Sequence, residues 1–194
     1  MVIIVIMTKF LKLLAESVQD NYDDWDYPEY SNEYEKITLE TIKKIKSTDR
    51  IVLSTEDKID LYKKMPPSSI GRKPIGLWYG FGTSWIDYIR AEMPERETQH
   101  VFKIEIDDMD MINVDIDNMF LWFSKRYKDP QKESGFVNYK IDWPEVTKKY
   151  KGIEFPKYFD KYRGNAEHDW YSTWDIESGC IWDLSAVKKV EKLQ

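Results

Sequence analysis

Apolar residues fall in short runs whose period keeps changing, and each change predicts an element. His100-Val101-Phe102-Lys103-Ile104-Glu105-Ile106 alternates apolar with polar positions, as a half-buried strand does. Arg50-Ile51-Val52-Leu53-Ser54-Thr55 is a β-branched apolar run that ends in two hydroxyls, and it also predicts a strand. Helical spacing places Leu39, Ile42 and Ile45 on one face of a segment over 38–45. A longer apolar helix is predicted over 118–127, carrying Met119, Phe120, Trp122 and Phe123. Glu56 to Lys64 reads as a short helix, while Met65-Pro66-Pro67-Ser68-Ser69 and residues 128–140 read as loops. Asp142-Trp143-Pro144-Glu145 opens a helix running to about Tyr150, since Pro suits an early helical position and Glu complements the dipole. Strands and helices mix without regular βαβ alternation. The predicted class is therefore α+β: a bent or split sheet of strands 51–55, 77–80, 101–106, 111–114, 152–155 and 179–184, covered by helices 84–91 and 117–127.

The stretch from Lys73 to Trp85, KPIGLWYGFGTSW, holds three glycines and four aromatics in a charged chain. Pro74 pushes Lys73 toward extended geometry, and Gly76 admits a close backbone approach. Leu77-Trp78-Tyr79 reads as a strand and Gly80-Phe81-Gly82 as its exit turn. Thr83 or Ser84 then caps a helix from Trp85 through Ile86 and Ile89. A strand, a glycine turn and a helix start often cradle a ligand, although a connection packed by aromatics has the same pattern.

Residues 1–49 read as an N-terminal helix over 8–18, an acidic Tyr-rich segment over 20–35 and a short helix, all packed on a core of residues 50–194 in a single domain. Met7 is an alternative start to Met1. Lys9 and Lys12 interrupt the apolar N-terminal run before it reaches the roughly 20 residues of a membrane span, so no membrane role is expected. A net charge of −6 disfavours non-specific nucleic-acid binding by bulk charge and leaves room for a local basic groove. One cysteine permits neither an intrachain disulfide nor a cysteine-based zinc site, which suits a cytoplasmic compartment. His100 and His168 lack ligand spacing, so no metal is expected. No phosphate loop, dinucleotide fingerprint or nucleophile elbow occurs, and Cys180 reads as an inert core residue. The eight Trp and thirteen Tyr residues supply buried area and ligand-facing rings alike.

Lys73-Pro-x-Gly-Leu-Trp, Tyr150-Lys151-Gly152-Ile153-Glu154 and Trp174-Asp175-x-x-Ser178-Gly179-Cys180-Ile181-Trp182 together resemble a family of small, largely uncharacterised bacterial and viral proteins. The resemblance spans roughly residues 50–190. The layout is in turn similar to the ADP-ribosyltransferase superfamily, by analogy of fold. It implies a first strand ending in polar residues, a Gly-apolar-aromatic-aromatic strand running into a helix, and late strands completing a split β-sheet flanked by helices.

The resemblance implies an enzyme that takes NAD as substrate and transfers ADP-ribose to a macromolecular acceptor, protein or nucleic acid, as a toxin or host-takeover factor. Cleavage of the nicotinamide–ribose bond develops oxocarbenium character, which a carboxylate stabilises. Glu177 directly precedes the last strand, where the superfamily carries its acid, and is the expected catalytic residue, with Asp175 and Glu154 as competitors. The register itself puts Ser178 at that position, and a one-residue slip turns a side chain to the other face. Cofactor contacts are expected from Arg50, Ser54 and Thr55 on the first strand. Lys73 or Arg72 would meet the pyrophosphate, Tyr79 or Trp78 would supply the face that stacks on nicotinamide, and Gly76, Leu77, Trp85 and Ser178 complete the expected cofactor-binding set. Trp78, Tyr79 or Trp85 are expected to line one cleft where the first strand's tip, the Gly76–Gly82 segment and the 174–179 approach converge. The alternative is a catalytically inactive module on the same scaffold, binding a nucleotide, nucleic acid or protein.

Overall fold

The computed structural model describes residues 37–98, 100–133 and 136–194. The expected helix over 8–18, the acidic segment over 20–35 and the choice between Met1 and Met7 lie outside the described residues. Residues Glu35–Gln194 form one compact unit.

The architecture is α+β, with a curled, mixed seven-stranded sheet flanked by helices. The strands are β1 Arg50–Ser54, β2 Leu77–Phe81, β3 His100–Ile106, β4 Met111–Asn113, β7 Gly152–Phe155, β8 Ser178–Ile181 and β9 Val187–Lys192, in the order β4-β7-β8-β2-β1-β3-β9. Only β4 and β7 run parallel within it. β5 Lys128–Glu133 and β6 Phe136–Ile141 form a separate hairpin. The helices are α1 Leu39–Lys44, α2 Ser84–Glu92, α3 Asp117–Tyr127 and α4 Trp143–Thr147.

The pairing between β1 and β2 is confined to Arg50↔Phe81 and Ile51↔Gly80. β1 follows β3 along its whole length, and β2 follows β8 from Leu77 to Gly80. The sheet thus divides into two halves, β4-β7-β8-β2 and β1-β3-β9, joined by a short seam.

Alternation along the strands sends adjacent residues to opposite faces. One face carries Val52, Tyr79, Phe102, Ile104 and Ile181, with Leu184, Ala186 and Val187 packed alongside. The other bears two clusters. Ile51 and Val101 pack with Ile37 and Ile86 under α1 and α2, while Ile153 and Phe155 join an aromatic core of Phe120, Phe123, Trp143, Trp170, Tyr171 and Trp174. Phe120 of α3 is the hub of that core: its ring lies 4.1 Å from Tyr162 and 5.3 Å from Trp170, both stacked, and 5.0 Å edge-on from Tyr171. Offset and edge-to-face pairs at these separations add to what burial alone contributes.

Three sequence expectations are corrected. Glu56–Lys64 is not a helix; it is a run of bends and turns. The Ser54 hydroxyl accepts a hydrogen bond from Glu56 N at 3.0 Å, and the Asp60 carboxylate accepts one from Tyr62 N at 2.9 Å. Such side-chain caps compete with helical pairing. Within the expected loop over 128–140, residues 128–133 and 136–140 lie in the paired strands β5 and β6, tied in through the Gly71↔Ile141 bridge. The last sheet segment before the tail is also shorter than the expected 179–184, ending at Ile181.

Candidate functional site

The expected site residues separate onto the two faces of the sheet. On the first, Asn113, Glu154, Gly179 and Tyr79 form one row across β4, β7, β8 and β2. Tyr79 Oη donates to Glu154 Oε2 at 2.9 Å, across the width of β8. Glycine at 179 makes this crossing possible, because a β-carbon there would lie 2.3 Å from the Tyr79 ring. Arg50 donates to both Glu154 oxygens, from Nε at 2.9 Å and Nη2 at 3.1 Å, and also to the exposed Asp108 at 2.9 Å. Asn113 Nδ2 donates to Glu154 Oε1 at 3.2 Å. Burial followed by the Glu154 charge raises the Tyr79 hydroxyl well above its usual pKa, so it stays a donor. Glu154 is thus a buried, fully engaged carboxylate, and it anchors the two halves of the sheet through Arg50.

The second face gathers a different set. The Trp78 ring lies 4.9 Å from Trp174, whose Nε1 donates to the Arg72 carbonyl at 3.4 Å. Lys73 Nζ stands 5.0 Å over the Trp78 ring, a cation–π geometry. Desolvation lowers the Lys73 pKa, while the Asp175 charge pulls it upward. Arg163 Nη2 reaches Asp175 at 3.3 Å. Burial raises the Tyr88 and Tyr158 hydroxyls, and both lie within electrostatic range of Asp175 and Arg163. The Tyr158 hydroxyl oxygen is buried without a hydrogen-bond partner among the described residues. The Glu177 charge is felt at the Tyr171 hydroxyl of the aromatic core, and its carboxylate has no hydrogen-bond or ion-pair partner among the described residues.

Lys73, Tyr88, Tyr158, Arg163 and Asp175 therefore form a polar cluster beside the half-buried Trp78, with Trp174 and Tyr171 fully buried beneath it and Glu177 within electrostatic range of Tyr171. Lys73, Trp78, Asp175 and Glu177 were expected from sequence. Tyr88, Tyr158 and Arg163 were not, although the basic-aromatic run from Lys157 to Arg163 was visible. Their partners are distant in sequence, and no local spacing reveals them.

Other expected residues fall elsewhere. Tyr79 and Trp78 are neighbours on one strand and point to opposite faces, so they cannot wall one cleft. Arg50 opens β1 and Ser54 closes it. Ser54 is occupied in its own turn, and Thr55 is exposed. Gly76 is approached by a strand: a β-carbon there would lie 2.4 Å from the Ile181 carbonyl oxygen. Leu77 packs with the first-face cluster. Ser178 is buried and donates to the Ile176 carbonyl at 3.0 Å, which locks the turn into β8. Trp85 is half-buried with its Cβ against Gly80. Arg72 is paired with Asp169 at 2.8 Å. Burial pushes the Cys180 thiol well up, which makes it a poor nucleophile. Among the described residues no cluster of His, Cys, Asp or Glu could hold a metal ion, and no helix is long and apolar enough to cross a membrane.

No family model, no curated protein and no solved structure matches this chain.

Proposed function

We propose that the cluster around Trp78 binds NAD and that the protein transfers ADP-ribose from it to a macromolecular acceptor. The observation that carries this reading is the convergence of Lys73, Trp78 and Asp175 with Tyr88, Tyr158 and Arg163, with Glu177 within electrostatic range of Tyr171 below them. The half-buried Trp78 ring suits the nicotinamide face, Lys73 suits a pyrophosphate, and an uncommitted carboxylate suits developing positive charge. The strands named by the superfamily resemblance also lie side by side as β7-β8-β2-β1, with the short seam between β2 and β1.

In this reading the ribose–nicotinamide C–N bond breaks with its electron pair leaving on nicotinamide. An acceptor heteroatom bonds to the same carbon and releases its proton to a carboxylate or to water. Glu177 is the acid assigned to that carbon, because Glu154 is consumed by Arg50, Tyr79 and Asn113 on the opposite face, and Asp175 is paired with Arg163. Ser178, at the position where the superfamily carries its acid, favours the second reading: a module that binds a nucleotide without turning it over.

The test is NAD consumption and target labelling by the full chain in cell extract, with Glu177→Gln, Asp175→Asn and Glu154→Gln alongside. Loss by orders of magnitude in Glu177→Gln, with its melting temperature unchanged, is the expected result. Stabilisation by NAD with no turnover would support the binding module, and no effect of NAD on the melting temperature would remove the site reading altogether.

A further inference from the structure

A second surface, formed by the end of α3, the start of β5 and the segment after α4, has a chemistry of its own. Trp122 is 44% exposed on α3, with its ring edge-on to Tyr127 at 6.2 Å. Arg126 Cζ and Lys149 Nζ flank the same Tyr127 ring at 5.1 Å and 5.9 Å. Lys128 Nζ lies 4.0 Å over the Tyr139 ring, and Lys125 is exposed on α3. Among the described residues none of Lys125, Arg126, Lys128 and Lys149 has a carboxylate partner. A cavity of about 300 Å³ is lined by Arg126, Tyr127 and Lys128 and also by Asp129, Asp142 and Glu145. Of these carboxylates Glu145 pairs with Lys148, Asp129 has a partner, and Asp142 accepts from Glu145 N at 3.1 Å at the start of α4. Four cations without an ion-pair partner among the described residues therefore lie on the same surface as a half-exposed indole, in a chain whose net charge is −6.

We propose that this surface binds single-stranded nucleic acid, with Arg126, Lys128, Lys149 and Lys125 on successive phosphates and a base stacked on Trp122. Cations tracking a backbone beside an aromatic platform are what single strands use, because every base offers a ring face. A duplex hides those faces in its own stack, and an acidic peptide would leave the indole idle. Neither feature depends on NAD chemistry, so the proposal stands apart from the reading of the other site.

The test is fluorescence anisotropy of a labelled 12-nucleotide oligouridylate with the full chain, between 50 and 300 mM salt. At about 0.7 per phosphate contact on single strands, four contacts give a log–log salt slope near −3. Arg126→Ala combined with Lys149→Ala should reduce that slope by about 1.4. Trp122→Ala should weaken binding about tenfold at every salt concentration with the slope unchanged, and Trp122→Phe should restore most of it. These side chains lie at the surface, and unchanged thermal melting of the variants confirms that they fold. Absence of binding at 50 mM salt, or variants that bind like the parent, would overturn the proposal. Polyglutamate competing as well as oligouridylate at equal charge would also overturn it, in favour of an acidic protein partner.

Discussion

Glu154 shows what one buried carboxylate demands of its surroundings. It accepts hydrogen bonds from Arg50, Tyr79 and Asn113, and each removal leaves a buried lone pair or an unpaired cation. Tyr79→Phe deletes one bond without changing shape and should cost about 1–2 kcal/mol. Gly179→Ala should cost more than that, because its new methyl meets the ring of a tyrosine that the core already holds in place. Urea unfolding of both variants checks the ranking, and a Gly179→Ala protein as stable as the parent would mean that the row across β8 is not tight.

His168 offers a pH-dependent counterpart. It is buried, and the Ser124 hydroxyl lies 3.1 Å from its Nδ1 while itself accepting from Trp170 Nε1 at 3.1 Å. Desolvation, then the Lys128 charge, lowers its pKa, with Glu167 opposing. The unfolded chain therefore takes up the proton first as pH falls. This contribution to stability is full above the ordinary histidine pKa of about 6.5 and declines from there down to the lowered folded value. The urea midpoint should fall between pH 7.5 and 5.5, and by less in His168→Gln. An equal fall in both proteins would assign the effect to other groups.

At the scale of elements, segments distant in sequence fasten one another. Thr38 caps α1, its hydroxyl accepting from Thr41 N at 3.2 Å. Gln194 Oε1 accepts from both Thr38 N and the Thr41 hydroxyl at 2.9 Å, which ties the chain's last residue to α1. A six-residue helix is too short to persist without such ties. Thr38→Ala should destabilise the protein by about 1 kcal/mol. Gln194→Ala should accelerate hydrogen exchange of the Thr38 amide while leaving β3 protected. Unchanged exchange at Thr38 would show that the cap alone suffices. The failed helix over 56–64 follows the same logic in reverse. Ile59 and Leu61 both pack on the first-face cluster two positions apart, a spacing that suits extended chain better than a helical face.

At the scale of the whole described unit, one apolar cluster lies on one face of the curled sheet and two lie on the other, and the aromatic one of that pair is centred on Phe120. Phe120→Ala removes a fully buried ring that contacts partners from β7, from the 159–162 segment and from the 168–171 segment, and should cost about 3–5 kcal/mol. Near-UV circular dichroism during urea unfolding reports this directly. A loss under 1 kcal/mol would mean that the neighbouring rings close over the gap.

Much of this arrangement was legible in the chain because its signals are local. The alternation from His100 to Ile106, the helical spacing around Phe120 and the proline-led start of α4 all describe how a segment sits against an apolar surface, whatever that surface is. The likeness of residues 73–85 to a strand, a turn and a helix start was legible for the same reason. Period-two alternation also dictates that Trp78 and Tyr79 face apart, but it does not say which side gathers the chemistry. That depended on pairing. Tyr79 and Glu154 meet across Gly179, and Arg50 reaches Glu154 from the other half of the sheet, over 104 residues of chain. Those contacts engaged Glu154, while Glu177 has no side-chain partner among the described residues, a distinction absent from the local surroundings of either residue. Strand β5, Lys-Asp-Pro-Gln-Lys-Glu, carries little strand propensity of its own and is paired by β6, Phe-Val-Asn-Tyr-Lys-Ile, whose aromatic and β-branched residues favour a strand. Local sequence sets the period of a segment; only the register between distant strands decides which side chains share a face.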